Sequence, residues 1–160
     1  MKITSENCIR DYNNHVIYDY NNGEYQSFMD FVRNFGYKIK KLDLNFYNNI
    51  NDHRFYYAIV HNCRNLIKMT IKNYSISTSE IKCIYCQEEF LKNIIRCQTQ
   101  LQELNLEGAD YSGFTNEVIE SINQHSNNLK NVNLYNCCGD FDINLINNDS
   151  INVKHLVNNE

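Results

Sequence analysis

The densest chemistry in the chain is the segment Lys82-Cys83-Ile84-Tyr85-Cys86. A C-x-x-C pair can supply two of the four ligands that tetrahedral zinc requires. The other two would have to come from His61 and Cys63, about twenty residues upstream, or from Cys97. As a redox dithiol the same pair should follow a strand and open a helix in a βαβ setting, a context the flanking sequence does not display. Cys83 and Cys86 therefore form half of a zinc signature, and a small zinc- or thiol-dependent protein centred on them is the alternative reading of function. Other chemistry is sparser. His15, His53, His61, His125 and His155 are scattered outside any motif, and the five glycines are isolated, so no phosphate-cradling loop exists. With no converging catalytic set, no enzyme, no cofactor and no small-molecule ligand is expected.

The elements that would carry such residues come from a chain of 160 residues, 42% apolar, with formal charge −4 and pI near 5.7. This acidic balance opposes sequence-independent nucleic-acid binding, for which only Lys38-Ile39-Lys40-Lys41 offers a basic cluster. No window reaches the ~18 apolar residues of a membrane span, and the first twenty residues lack a signal-like apolar core. Seven cysteines, an odd number at irregular spacing, fit reduced thiols better than a disulfide framework. A protein of the cytoplasm or nucleus with no membrane association is expected. Asparagine makes up about one residue in six, scattered singly and in pairs such as Asn13-Asn14, a compositional bias and not a prion-like tract.

One phrase recurs. Ile39-x-x-Leu42-x-Leu44, Leu66-x-x-Met69-x-Ile71, Leu101-x-x-Leu104-x-Leu106 and Leu129-x-x-Val132-x-Leu134 begin 27, 35 and 28 residues apart. A period of this size marks a repeat stack, with about seven extra residues in the long unit. Ahead of each phrase lies a helical pattern, as in Phe28, Phe31, Val32 and Phe35, or Phe90, Leu91, Ile94 and Ile95. Each unit is thus a short strand, a polar turn and an amphipathic helix. No unit can bury both its strand residues and its helix stripe alone, so the units must stack.

These residues resemble the leucine-rich repeat family, in particular its cysteine-containing subtype, over about residues 28 to 141. The subtype's cysteine before the first leucine is matched at Cys63-Arg-Asn-Leu66 and Cys97-Gln-Thr-Gln-Leu101, with Phe35 and His125 in its place elsewhere. Its post-strand Cys/Asn is matched at Cys137, whereas Tyr47, Tyr74 and Ala109 stand at the other copies. Ile50-Asn51-Asp52, Ile76-Ser77-Thr78 and Phe114-Thr115-Asn116 look like its helix starts, where a short side-chain oxygen caps the first turn. The segment Phe28 to Phe46 is similar to the repeat region of insect F-box/leucine-rich repeat proteins, although no F-box precedes it. That resemblance implies substrate recognition for a ubiquitin ligase.

The expected fold is an α/β leucine-rich repeat solenoid, a short curved right-handed horseshoe of about four repeats with capping half-repeats. It forms one domain over 1–160, with 1–38 an N-terminal capping half-repeat, 39–141 the repeats and 142–160 a C-terminal edge. Val16 to Tyr20 and the alternating Ile151, Val153 and Leu156 read as strands at the two ends. Because strand side chains alternate, the residues between the leucines point away from the core onto a concave parallel sheet. They are Lys41, Asp43 and Asn45; Lys68, Thr70 and Lys72; Glu103, Asn105 and Glu107; and Asn131, Asn133 and Tyr135. This polar, mixed-charge array suits a protein or peptide ligand, with Tyr135 the strongest single anchor. The bland alternative is that Lys72 and Glu107 on neighbouring strands only pair with each other. Metal analysis of the purified protein should find fewer than about 0.2 zinc ions per chain, and one per chain would establish the cysteine site instead.

Overall fold

The computed structural model of the protein describes residues 9–20, 25–46, 53–73, 84–108, 114–137 and 141–157. Strand β1 (Ile9–Tyr12) turns into β2 (His15–Tyr20), followed by α1 (Tyr25–Phe35), β3 (Lys41–Phe46), α2 (His53–Asn62) and β4 (Lys68–Asn73). Then come α3 (Ile84–Cys97), β5 (Glu103–Glu107), α4 (Asn116–His125), β6 (Asn131–Tyr135) and β7 (Asn152–Leu156). Short 3-10 turns occupy Gly36–Lys38 and Ile143–Leu145. All seven strands form one sheet whose spatial order is their order in the chain. From β2 to β7 every pairing is parallel, and a helix returns the chain from each of β2, β3, β4 and β5 to the next strand. The fold is α/β, with six parallel strands alternating with helices, an arrangement compatible with a repeat stack.

Strand parity places the core. Leu42, Met69, Leu104 and Val132 are paired neighbours in one row, and Leu44, Ile71, Leu106 and Leu134 in the next; none is more than 1% exposed. Against them lie the helix stripes, including Phe28 and Val32, Phe55 and Ile59, Leu91 and Ile94, and Val118 and Ile122, in one continuous cluster. Aromatic rings link the first units: Tyr18 stacks on Phe28 at 4.1 Å, Phe28 lies 5.3 Å from Phe55, and Tyr56 lies 4.5 Å from Phe90. Each buried aromatic contributes a large apolar area, and the ring pairs add about 0.5–1.5 kcal/mol apiece.

The joints between units repeat as well. The carbonyl of Lys40 accepts from the amides of both Ile67 and Lys68; that of Ile67 from Gln102 and Glu103; that of Gln102 from Lys130 and Asn131. Asn14 serves Lys40 and Lys41 in the same way. Two asparagines follow the period: Asn65 Nδ2 donates to Tyr37 O at 2.7 Å, and Asn128 Nδ2 to Thr99 O at 2.6 Å, each reaching back one unit.

Several expectations need correction. The position three before the first apolar residue, just past each helix, holds Gly36, Cys63, Gln98 and Ser126. Cys63 and Gln98 are buried there, whereas Cys97, like Phe35 and His125, ends its helix and is exposed. Cys97 is therefore not the equivalent of Cys63; the extra residue before Leu101 shifts it onto the outer helix surface. Gly36 is required by packing, because a Cβ there would lie 2.8 Å from Asn62 O. Thr115 does occupy the extended position before α4, but its hydroxyl caps no amide and donates instead to Glu88 Oε2 at 3.1 Å. The excess of the long unit falls partly in α3, which has 14 residues against 10 in α2 and in α4, so Cys86 lies within a helix. Ile50-Asn51-Asp52, Ile76-Ser77-Thr78, Tyr47, Tyr74, Ala109 and Cys83 lie outside the described residues.

The N-terminal end carries an unexpected strand. β1 runs antiparallel to β2 through a two-residue loop, Asn13-Asn14, with φ of 51° and 70°. Tight hairpins need two successive left-handed residues, and asparagine adopts that conformation most readily after glycine. At the other end β7 pairs with β6, so the expected edge strand is present, but Leu156 breaks the alternation of Ile151 and Val153 and lies exposed on the opposite face, beside Tyr135.

Truncating Leu104 to Ala should cost about 2–5 kcal/mol in urea unfolding, as for a fully buried leucine. Gly36→Ala should cost about 1–3 kcal/mol through overpacking against the α2 terminus.

Candidate interaction face

Helices cover one side of the sheet, so the alternate strand residues form its other side. Register sets them in three rows. The first runs His15, Lys41, Lys68, Glu103, Asn131, Asn152; the second Ile17, Asp43, Thr70, Asn105, Asn133, Lys154; the third Asp19, Asn45, Lys72, Glu107, Tyr135, Leu156. All twelve residues expected on this face are brought together on it. The contributions of β2 and β7 were missed, although the alternation in His15-Val16-Ile17-Tyr18-Asp19 and Asn152-Val153-Lys154 carries the same signal.

Strands in a sheet lie about 4.8 Å apart, so neighbours within a row are within bonding reach. Much of the face uses that reach internally. Lys68 Nζ pairs with Glu103 Oε1 at 2.8 Å, and Lys72 Nζ with Glu107 Oε2 at 2.7 Å. Asn45 donates to Asp19 Oδ1 at 2.7 Å, and His15 Nε2 meets Asp43 Oδ2 at 2.7 Å. In the middle row Asn133 Nδ2 donates to Asn105 Oδ1 at 2.7 Å, while Asn105 Nδ2 reaches Glu103 Oε1 at 2.9 Å and Thr70 Oγ1 at 3.3 Å. Thr70 and Asn105 are consequently buried among their neighbours, although both point away from the core. The pairing expected as the bland alternative for Lys72 and Glu107 is thus present, and Lys68 with Glu103 repeats it.

Burial acts on Glu103 most strongly and pushes its carboxyl pKa up. Hydrogen bonds from Lys68 and Asn105, with the charges of Lys68 and Lys41, together outweigh it and hold the group below its ordinary value of 4.5.

Among the described residues no group of three His, Cys, Asp or Glu side chains is placed to hold a metal ion, and no helix is long and apolar enough to cross a membrane. Cys63 is buried between units, and desolvation pushes its thiol up to about 12, so it is inert at neutral pH. Cys137 is also buried, with Sγ 3.5 Å from Leu106 O, a bond from the post-strand position back to the preceding strand.

A cavity on the helix side was not expected from sequence. It encloses about 800 Å³ along α2 and α3, over Tyr56, Val60 and Phe90, with Arg33, Arg54 and His61 also lining it. Beside it Tyr57 is 64% exposed, its ring 3.9 Å from that of His61 one turn on and tilted 35° to it. A smaller cavity of about 310 Å³ opens on the sheet side between Glu107, Tyr135, Asn136 and Leu156.

Comparison with protein-family models, with curated proteins and with solved structures finds no match.

A group whose folded pKa is depressed stabilises the fold above its unfolded pKa, and that contribution disappears as the pH falls through the folded value. Urea midpoints should therefore drop on acidification below about pH 4.5, the ordinary value for Glu103. Glu103→Gln should flatten that part of the profile, and an unchanged slope would show that the Lys68 pair has no energetic weight.

Proposed function

We propose that the chain is a leucine-rich repeat stack that binds a protein or peptide partner through the helix-free, concave side of its sheet. The observation that carries this reading is the unbroken order of the sheet. It sets outward residues from six successive parallel strands side by side on one face held by a rigid core. The four copies of the leucine phrase and the repeated inter-unit carbonyl support the leucine-rich assignment. Recognition of substrates for a ubiquitin ligase, implied by the F-box resemblance, is one form such binding would take.

Satisfied ion pairs in the middle of the face shift the energetic weight towards its β6–β7 end. Breaking Lys68 from Glu103 gains a partner little, since exposed pairs are worth about 0–1 kcal/mol either way. Among the described residues Tyr135 offers an aromatic surface with no hydrogen bond or ring contact, the type of residue that dominates binding energies.

Tyr135→Ala should weaken partner recovery by about tenfold or more, as for an aromatic hot spot. Lys68→Glu should weaken it less, and Tyr57→Ala, on the helix side, should leave it unchanged. Full recovery by both sheet-face variants would dismiss this face as the binding surface.

A further inference from the structure

We infer that the third row ends in a pocket that reads an arginine side chain of the partner, held by Glu107, Tyr135 and Leu156. The inference rests on the interaction-face reading and assigns the partner chemistry at one point of it.

A carboxylate, a phenol ring and an exposed aliphatic side chain converge there. The carboxylate of Glu107 is engaged by Lys72 through Oε2 at 2.7 Å and pairs with no other side chain among the described residues. Within the same residues the Tyr135 side chain makes no hydrogen bond or ring contact, so its π face and hydroxyl are both open. Leu156, the next residue in the row, is 55% exposed on the last strand of the sheet. The cavity between them, about 310 Å³, is large enough for one long side chain.

A carboxylate oxygen, an aromatic face and an aliphatic wall together select a cation with an apolar stem. The stem would lie along Leu156, the charge over Tyr135, and a donor would point to Glu107 Oε1. Arginine fits better than lysine, because its planar guanidinium stacks on a ring and still presents several donors to a carboxylate. Phosphate-bearing and acidic ligands are opposed by Glu107. Lys72 is the built-in competitor: its ammonium already lies 2.7 Å from the same carboxylate and repels a second cation. Removing it should therefore strengthen arginine binding, opposite in sign to the effect on an anionic ligand.

The test is an NMR titration of the full chain with N-acetyl-arginine methylamide, using the citrulline derivative as its uncharged match. The amides of Glu107, Tyr135 and Leu156 should shift saturably with the arginine probe and at least about tenfold more weakly with citrulline. Glu107→Gln should abolish the response, Tyr135→Leu should reduce it, and Lys72→Met should strengthen it, with the dispersion of the same spectra reporting that each variant is folded. No shift, an equal response to citrulline, or a response that survives Glu107→Gln overturns the pocket. If the probe fails while Tyr135→Ala still depresses partner recovery, the pocket is lost and the interaction face stands. If the probe succeeds but no face variant affects recovery, the interaction-face reading fails instead.

Discussion

Each unit of this protein begins by hanging two successive amides on one carbonyl of the unit before it. The carbonyls of Asn14, Lys40, Ile67 and Gln102 do so in turn. That joint fixes where each strand starts relative to its neighbour, and the rest of the structure depends on the phase it sets. Strand side chains alternate, so a slip of one residue would send Leu42 and Leu44 to solvent and Asp43 to the core. The buried residues next to the joint, Ile39, Leu66, Leu101 and Leu129, reinforce it by anchoring the chain just ahead of each strand. Variation is then tolerated away from the joint, and the long unit takes up part of its extra residues in α3.

This constraint explains what was legible in the sequence. The leucine phrase carries strand parity directly, so the twelve outward residues could be read from it, and the helix stripes were visible from their period. The cysteine position was misread because the long unit has one more residue between Cys97 and its leucine than the preceding unit has after Cys63. Counting back from the joint, and not from the cysteine, identifies Gln98. The β1–β2 hairpin was missed for a different reason. Its signal, Asn13-Asn14, is a turn signal only if asparagine is scarce, and here asparagine is everywhere. Thr115 shows the limit of reading caps locally: its hydroxyl is drawn to Glu88 on the preceding helix, an encounter between residues 27 apart in the chain.

The outer face has its own consequence of regular spacing. Residues of opposite sign in one row, about 4.8 Å apart, will pair. Lys68 with Glu103 and Lys72 with Glu107 do so, and the amides of Asn105 and Asn133 extend a similar chain across the middle row. A mixed-charge face on a parallel sheet therefore neutralises itself, and its charged centre contributes more to positioning the strands than to attracting a ligand. Local polarity and available binding energy are different properties, and on this face they separate.

Pairing along the third row stops where its residue types cease to be complementary. At the β6–β7 end, Tyr135 follows an already engaged Glu107, and Leu156 follows Tyr135, with no opposite charge between them to close the row. The side chains there are also the least repetitive: the third row passes from Asn and Lys to Glu, Tyr and Leu. A parallel sheet whose strands start in a common phase holds its shape through the repeated joint, so a specific surface can arise where the side chains vary without disturbing that joint. The outward positions of the late strands meet both conditions, since changes there alter neither the bifurcated carbonyls nor the buried rows.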